Sequence, residues 1–309
     1  MSRSFRYRPG HPHVLSDEAG HFRPRSENVR ICLAHACQQG DHGDMTITFT
    51  AVRTTGIYCR DGCPGKPLQR NTMPFTSAIA AEAAGYRPCL RCRPDRLPPL
   101  TEDDGAGLVG RALALIGEGA LNHGSEEALA RRLGVSARHL RRLFCERVGA
   151  TPALVARSGR AHFARRLLDE TDLRILDIAY AAGFASVRQM NRVMFAVFRF
   201  TPVELRAKRR DADRLTVDGG MPLRIAYAGT LAFDDLLAHR SPRAIPGVES
   251  VEGRAYRRTI SACGNPGVIE VSNLDDGKHL LVVAHLPTFQ ALIDDVARCR
   301  RLFGLDRPS

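Results

Sequence analysis

Hydrophobic and polar positions follow three different rhythms along the chain. Between residues 28 and 93 the rhythm is short. TITFTAV (46–52) alternates and is rich in β-branched residues, which predicts a strand, with a short helix before it at about 29–39. From 106 to 210 apolar residues recur every three to four positions, the period of a helix. Beyond 215 alternation returns in RTISACG, GVIEVSN and HLLVVAHL, three candidate strands, followed by an amphipathic helix near 287–302. Residues 1–27 are rich in His, Arg, Pro and Gly, lack a period, and read as a disordered basic lead-in. The Pro- and Asp-rich stretch at 94–105 reads as a linker. The pattern predicts a multidomain α+β chain: a small cysteine-bearing α+β domain at 28–93, an all-α domain at 106–210, and an antiparallel-sheet α+β domain at 215–309.

Inside the helical stretch a unit repeats at an offset of fifty residues. GVSARHLRRLF from Gly134 is echoed by GFASVRQMNRVMF from Gly183, with one residue inserted in the second copy. Ser136 pairs with Ser186, Arg138 with Arg188, Leu140 with Met190, and Thr151-Pro152 with Thr201-Pro202. Each copy reads as helix, tight turn at a glycine, and second helix capped by a serine, with Leu133, Leu140, Leu143 and Phe144 facing inward in the first copy. Thr151-Pro152 supplies an N-cap and first-turn proline for a connecting helix, and Thr201 with Glu204 a capping box for the last one. A connecting helix of about 18 residues spans ~27 Å, enough to set two such motifs about one DNA turn apart. The outward residues are Arg138, His139, Arg141 and Arg142, then Arg188, Gln189, Asn191 and Arg192. Arginine can read guanine, and asparagine or glutamine adenine, in a major groove. The bland alternative is a helical bundle with a solvated arginine face; the joint repetition of helices, turns and caps argues against it.

Charge sharpens this picture. The 309 residues carry 45 Lys and Arg against 33 Asp and Glu, a net charge of +12. That balance favours an anionic partner, most simply nucleic acid, although a merely soluble basic protein has the same sum. No window approaches the ~18 uncharged apolar residues of a membrane span, and no apolar core of a signal peptide follows the first methionine. A cytoplasmic location is expected, where nine cysteines act as thiols or metal ligands rather than disulfides.

Four of those cysteines form two close pairs, Cys59 with Cys63 and Cys89 with Cys92, the arrangement of a tetrahedral Zn²⁺ site. Thiolates suit this borderline-soft ion, and a unit of ~65 residues has too little core to be robust alone. Cys32 and Cys37, five apart on the expected helix, do not converge; Cys145, Cys263 and Cys299 stand alone and read as buried thiols. Zinc-bound sulfurs stay deprotonated and remain nucleophiles. Arg53, Thr54, Thr55, Arg60, Lys66, Arg87 and Arg91 surround the two pairs. Such a basic, hydroxyl-bearing rim suits docking a phosphate backbone; it equally offsets the charge of the sulfurs. The residues alone leave both readings open.

FTAVRTTGIYCRDGC and AAGYRPCLRCRPD resemble the metal-binding domain of the Ada family of alkylation-response regulators. The resemblance implies one zinc on all four cysteines, and Cys59 as an irreversible acceptor of methyl from DNA methylphosphotriesters. It implies DNA contacts at Thr55, Lys66 (where the family has arginine) and Arg87, while Pro64 departs from a further arginine contact. DIAYAAGFASVRQMNRVMFAVFRFTPVELR resembles the paired helix-turn-helix of AraC-type regulators, implying promoter DNA and RNA polymerase as partners. RAIPGVESVEGRAYRRTI and RCRRLFGLD resemble the N-terminal domain of AlkA-type 3-methyladenine glycosylases. The catalytic segment of those enzymes is not met before Ser309, so no glycosylase activity is expected. Tyr256, Arg257 and Arg258 read as an exposed strand edge rather than a DNA-facing cluster. The expected whole is a stoichiometric methyl acceptor that also binds DNA and activates repair genes. The alternatives are a zinc-stabilised regulator without transfer, or part of a glycosylase.

Overall fold

A computed structural model describes residues 49–65, 67–94, 107–227 and 229–305. The expected lead-in, the helix at 29–39, Cys32, Cys37, Lys66 and most of the linker lie outside the described residues.

The first unit is a four-stranded sheet in the order β3-β1-β2-β4, built from β1 (Phe49–Val52), β2 (Ile57–Arg60), β3 (Thr72–Phe75) and β4 (Arg87–Pro88). β1 pairs antiparallel with β2 and β3, whereas β4 runs parallel to β2 with Tyr58 beside Pro88. Helix α1 (Ala78–Ala83), capped by Ser77, covers one face. Phe49, Tyr58, Phe75 and Tyr86 meet there edge to face among small alanines, a thin core for a sheet of this size.

The helical unit runs α2 (Leu108–Gly117), α3 (Glu126–Arg132), α4 (Ala137–Val148), α5 (Pro152–Glu170), α6 (Ile175–Ala181), α7 (Val187–Phe198) and α8 (Pro202–Ala207). Its repeat is written in caps. Ser136 accepts from the His139 N–H and Ser186 from the Gln189 N–H, so both second helices begin at the expected residue. Gly134 and Gly183 hold φ of 75° and 73°, the left-handed turn that a side chain resists. Thr151 caps α5 ahead of Pro152, and Thr201 and Glu204 exchange both bonds of a capping box. Around the first motif Val109, Ala112, Ile116, Leu129, Leu140 and Phe144 form one core.

The last unit is an antiparallel sheet in the order β5-β9-β8-β7-β6, from β5 (Met221–Ala226), β6 (Glu249–Glu252), β7 (Ala255–Ala262), β8 (Asn265–Asn273) and β9 (His279–His285). Helices α9 (Phe233–Arg240) and α10 (Leu292–Leu302) complete it. Its apolar face is not a separate core. Leu223, Ile225, Tyr256, Val282 and Val296 pack in one continuous cluster with Leu167 and Leu168 of α5 and Met194 and Phe198 of α7. Burial in a shared core makes the last sheet a support for α5 and α7.

Three sequence expectations need correction. Strand β7 lies inside the sheet, between β8 and β6. Tyr256 is buried and donates to Glu249, while Arg257 pairs with Glu252 and Glu270, and Arg258 with Glu249. The alternation was legible, but strand order is set by partners far along the chain. Cys145 is disulfide-bonded rather than a lone thiol, and Cys263 is exposed at the left-handed end of β7; Cys299 is buried as expected.

Candidate metal centre and nucleic-acid interface

Backbone pairing brings the four cysteines together. Alternation along β2 turns Tyr58 into the core and Cys59 to the other face. The parallel pairing of β4 places Cys89 next to Tyr58, whose carbonyl accepts from the Cys89 N–H at 3.0 Å. A tight turn through Asp61 and Gly62 brings Cys63 back towards Cys59. The second pair forms a knuckle: the Arg91 N–H donates to the Cys89 sulfur at 3.4 Å, and the Arg93 N–H to the Cys89 carbonyl at 3.0 Å. All four sulfurs lie within 4.8 Å of one another. A tetrahedron with zinc–sulfur bonds of ~2.3 Å needs them about 3.8 Å apart, so the quartet fits that ion with little movement. Cys89 is buried, while Cys59 and Cys63 are half-exposed.

Without a cation the quartet resists ionisation. Burial raises the Cys59 thiol well above its ordinary value, and a charge on Cys89 raises it further. Burial pushes Cys92 up to about 11, against an N–H donated by Arg60. Burial also raises Cys89, but the N–H groups of Cys92 and Arg91 and its thiol neighbours outweigh this and leave it lowered. One sulfur thus takes the charge at its neighbours' expense. A divalent cation removes that conflict, and the donor set fits it. Cys59 and Cys92 both enter as thiols at neutral pH and must each give up a proton to a metal. Metal affinity is therefore expected to fall as pH falls, by at least about 100-fold per pH unit because these two protons alone compete with the ion, from pH 8 down to 6. Competition titration across that range measures the slope; a flat profile would contradict the assignment.

Around the centre Arg53, Thr54, Thr55, Arg60 and Arg91 are exposed. Arg87 is different. It is half-buried, and its guanidinium lies 5.5 Å from the centroid of the Phe200 ring, which Lys208 also approaches, at 5.0 Å.

The cysteine unit rests on the helical one at matching points of the repeat. Ser77 donates to the carbonyl of Val148, the last residue of α4, at 3.4 Å. A Cβ on Gly149 would stand 2.9 Å from that of Ala80, so the contact requires glycine. Fifty residues on, Arg199 ends α7 and donates to the Gly85 carbonyl at 3.0 Å. Between these points Glu82 accepts from Tyr58 at 2.8 Å and from Ser158 at 2.5 Å, and meets His162 at 2.6 Å. The residue preceding Cys59 is thereby tied to α5.

On the two second helices Arg138, Arg141 and Arg142 and their counterparts Arg188, Asn191 and Arg192 are exposed, as their spacing predicts. His139 and Gln189 are half-exposed. Some of these groups are engaged within the chain. Arg141 pairs with Glu126 at 2.5 Å, Arg142 approaches His139 and Glu146, and the Gln189 side chain accepts from the Ala185 N–H at 2.9 Å. Arg188, Asn191 and Arg192 leave a polar face on α7 open to solvent. Among the described residues no helix is long and apolar enough to cross a membrane. The contacts of Glu82 and Phe200 have no signature in the sequence, because each joins positions far apart in the chain.

Three family models match the chain: the metal binding domain of Ada over 32–95, a helix-turn-helix domain over 129–208, and the AlkA N-terminal domain over 222–308. A probable bifunctional transcriptional activator/DNA repair enzyme AlkA of Mycobacterium tuberculosis is 38% identical over 260 residues, 83% of this chain and 52% of that protein. The chain thus spans about half the length of this curated relative. The bifunctional transcriptional activator/DNA repair enzyme AdaA of Bacillus subtilis is 30% identical over 183 residues, 58% of this chain and 81% of the relative. In a solved methylated N-Ada/DNA complex, the matching chain is 34% identical, covers 43% of this chain and 94% of its own, and superposes with a TM-score of 0.17.

Proposed function

The chain belongs to the Ada family of bifunctional transcriptional activator/DNA repair proteins, and on that footing we propose that Cys59 accepts a methyl group from methylphosphotriesters in DNA. The observation that carries this reading is a half-exposed Cys59 whose sulfur belongs to a four-sulfur cluster, rimmed by exposed Arg53, Thr55 and Arg60. Zinc bound to Cys59, Cys63, Cys89 and Cys92 would keep the sulfurs as thiolates at neutral pH.

A methylated phosphate is neutral, so it does not repel an anionic sulfur as its neighbours do. In-line attack by the Cys59 sulfur forms an S–C bond and breaks the methyl C–O bond, whose electrons return to the phosphate oxygen. The products are a thioether and a restored phosphodiester. The thioether S–C bond is stable to water, so Cys59 takes up one methyl and no more. Intact-mass analysis after incubation with methylphosphotriester DNA tests this: one methyl on Cys59 is expected. Loss of one negative charge ~10 Å from a phosphate, at an effective dielectric near 20, is worth about 1.7 kcal/mol before screening. The methylated chain then binds DNA more tightly, and the methyl becomes a signal to the helical unit.

That unit is the reader of promoter sequence, with transcription by RNA polymerase as its output and the cytoplasm as its place. Alanine at Arg188 or Asn191 is expected to weaken binding to a site selected from random DNA by ~1–3 kcal/mol each and to relax preference at one base pair. Fluorescence anisotropy at fixed salt checks this; unchanged affinity and preference in both variants would remove α7 from base reading. A second reading, a metal-stabilised regulator without transfer, is favoured by the engagement of Arg87 with Phe200. It predicts zinc on the chain and no mass gain.

A further inference from the structure

The two halves of the cysteine centre are held differently. Cys59 lies on β2 and Cys63 just past the turn that ends it, and Arg60, Asp61 and Gly62 between them are exposed. The Cys89–Cys92 knuckle is gripped from the helical unit. Arg210, which is exposed, donates to the Leu90 and Arg91 carbonyls at 3.0 Å each, the two residues between those cysteines. Arg93 follows Cys92 directly and closes the knuckle through its own N–H to Cys89. Its φ of 48° lies in the region that favours glycine, yet the residue is arginine and is buried. Its guanidinium enters the helical unit, where it meets Asp169 at 2.6 Å and lies 4.0 Å from Asp213. Asp169, 1% exposed, is also held by Arg165 at 2.9 Å, and Arg165 in turn donates to the Leu205 carbonyl of α8. A buried carboxylate of this kind is a strong anchor, because separating it from its cation leaves an uncompensated charge in a poorly polarisable interior.

We propose that Asp169 on the connecting helix is a positioning residue for the metal centre: through Arg93 it fixes the Cys89–Cys92 knuckle, so that the helical unit sets how firmly the four sulfurs hold their ion. The fixed pair then serves as the base of the centre, and the exposed pair carrying Cys59 is the half presented to a ligand. The inference rests on the reading of the quartet as a metal site. Coupling of this type is reciprocal, so an ion on the cysteines also steadies α5 between the two reading motifs.

The full chain is loaded with Co²⁺, whose thiolate charge-transfer band reports sulfur geometry, and metal affinity is measured by chelator competition with Co²⁺ and Zn²⁺. Asp169→Asn keeps the shape and removes the charge. It is expected to lower affinity about 10-fold, the low end of what loss of a group bonded directly to a ligand does, because Asp169 acts one residue further out, and to shift or broaden the band. Arg210→Met, at an exposed site, is expected to act in the same direction by a smaller factor, and Arg93→Lys to restore part of what Arg93→Met loses. Arg254→Ala, an exposed residue whose partners Asp234 and Asp275 both lie in the last unit, leaves both readouts unchanged. Affinity within twofold of wild type and an unaltered band in Asp169→Asn overturn the inference. If that variant does not fold, an unaltered band and affinity in Arg210→Met overturn it instead. A wild-type chain that binds neither ion overturns the metal reading itself, and the inference with it.

Discussion

Replacing Cys59 by alanine is expected to reduce methyl uptake from one group per chain to none. Cys59 lies on the face of β2 opposite the buried Tyr58 and is half-exposed, whereas Cys89 is buried. A nucleophile must reach its carbon along the line of the breaking bond, and a buried sulfur cannot do so against a backbone as bulky as DNA. Removing Cys59 also removes a metal ligand, so the alanine variant by itself confuses lost chemistry with a loosened centre. Cys59→His separates the two. A Cys₃His set still binds zinc, but imidazole does not take up the methyl as a thiolate does. The histidine variant is expected to keep its metal and its strands and to show no mass gain after incubation with methylphosphotriester DNA. A methyl found on either variant, mapped by peptide mass to Cys63 or Cys92, would falsify the assignment of Cys59.

Stripping the metal is expected to melt the sheet of β1 to β4 while the helical unit stays folded. The core under that sheet is four aromatic rings and a few alanines, and without an ion weak thiol contacts replace the metal bonds that tie Cys59 and Cys63 to the Cys89–Cys92 knuckle. A structural ion contributes about 10–16 kcal/mol of apparent folding free energy in units of this size, more than such a core supplies by itself. The helical unit has its own apolar clusters, one of them continuous with the last sheet. Hydrogen exchange after chelation distinguishes the outcomes: amides of β1 and β3 lose protection by several orders of magnitude, and those of α5 and α7 keep most of theirs. Equal protection of β1 with and without metal would show that the fold of this unit does not depend on it. The fixed contacts at Val148, Gly85 and Glu82 predict that the fragment remains close to the helices even when its strands have opened.

How much of this was readable in advance differs by element. The helical unit was the most legible, because Ser136, Ser186, Thr151 and Glu204 act on backbone groups three or so residues away. Spacing alone announces such contacts. The strands β7, β8 and β9 were legible for the same reason, alternation being a property of neighbours. The two-residue β4 has no pattern to read, and β2 is too short to show one. Their pairing is what brings Cys89 to Cys59. The quartet was nevertheless foreseeable, since two close cysteine pairs are a chemical signature whatever backbone carries them. The lone-thiol reading of Cys145 and the edge reading of Arg257 failed on partners that no local rule supplies.

The amino-acid sequence by itself determined the helix starts and turns, the two cysteine pairs and the positive surface, because each follows from interactions across a few residues or from summed charge. Tertiary structure alone decided that Arg87 lies over Phe200, that Glu82 joins β2 to α5, and that Arg93 finds Asp169 across 76 residues. Thirty-three acidic residues could have served such a cation. Which one does is settled by packing, since only there are two charges buried close enough together that separating them costs more than bringing them in.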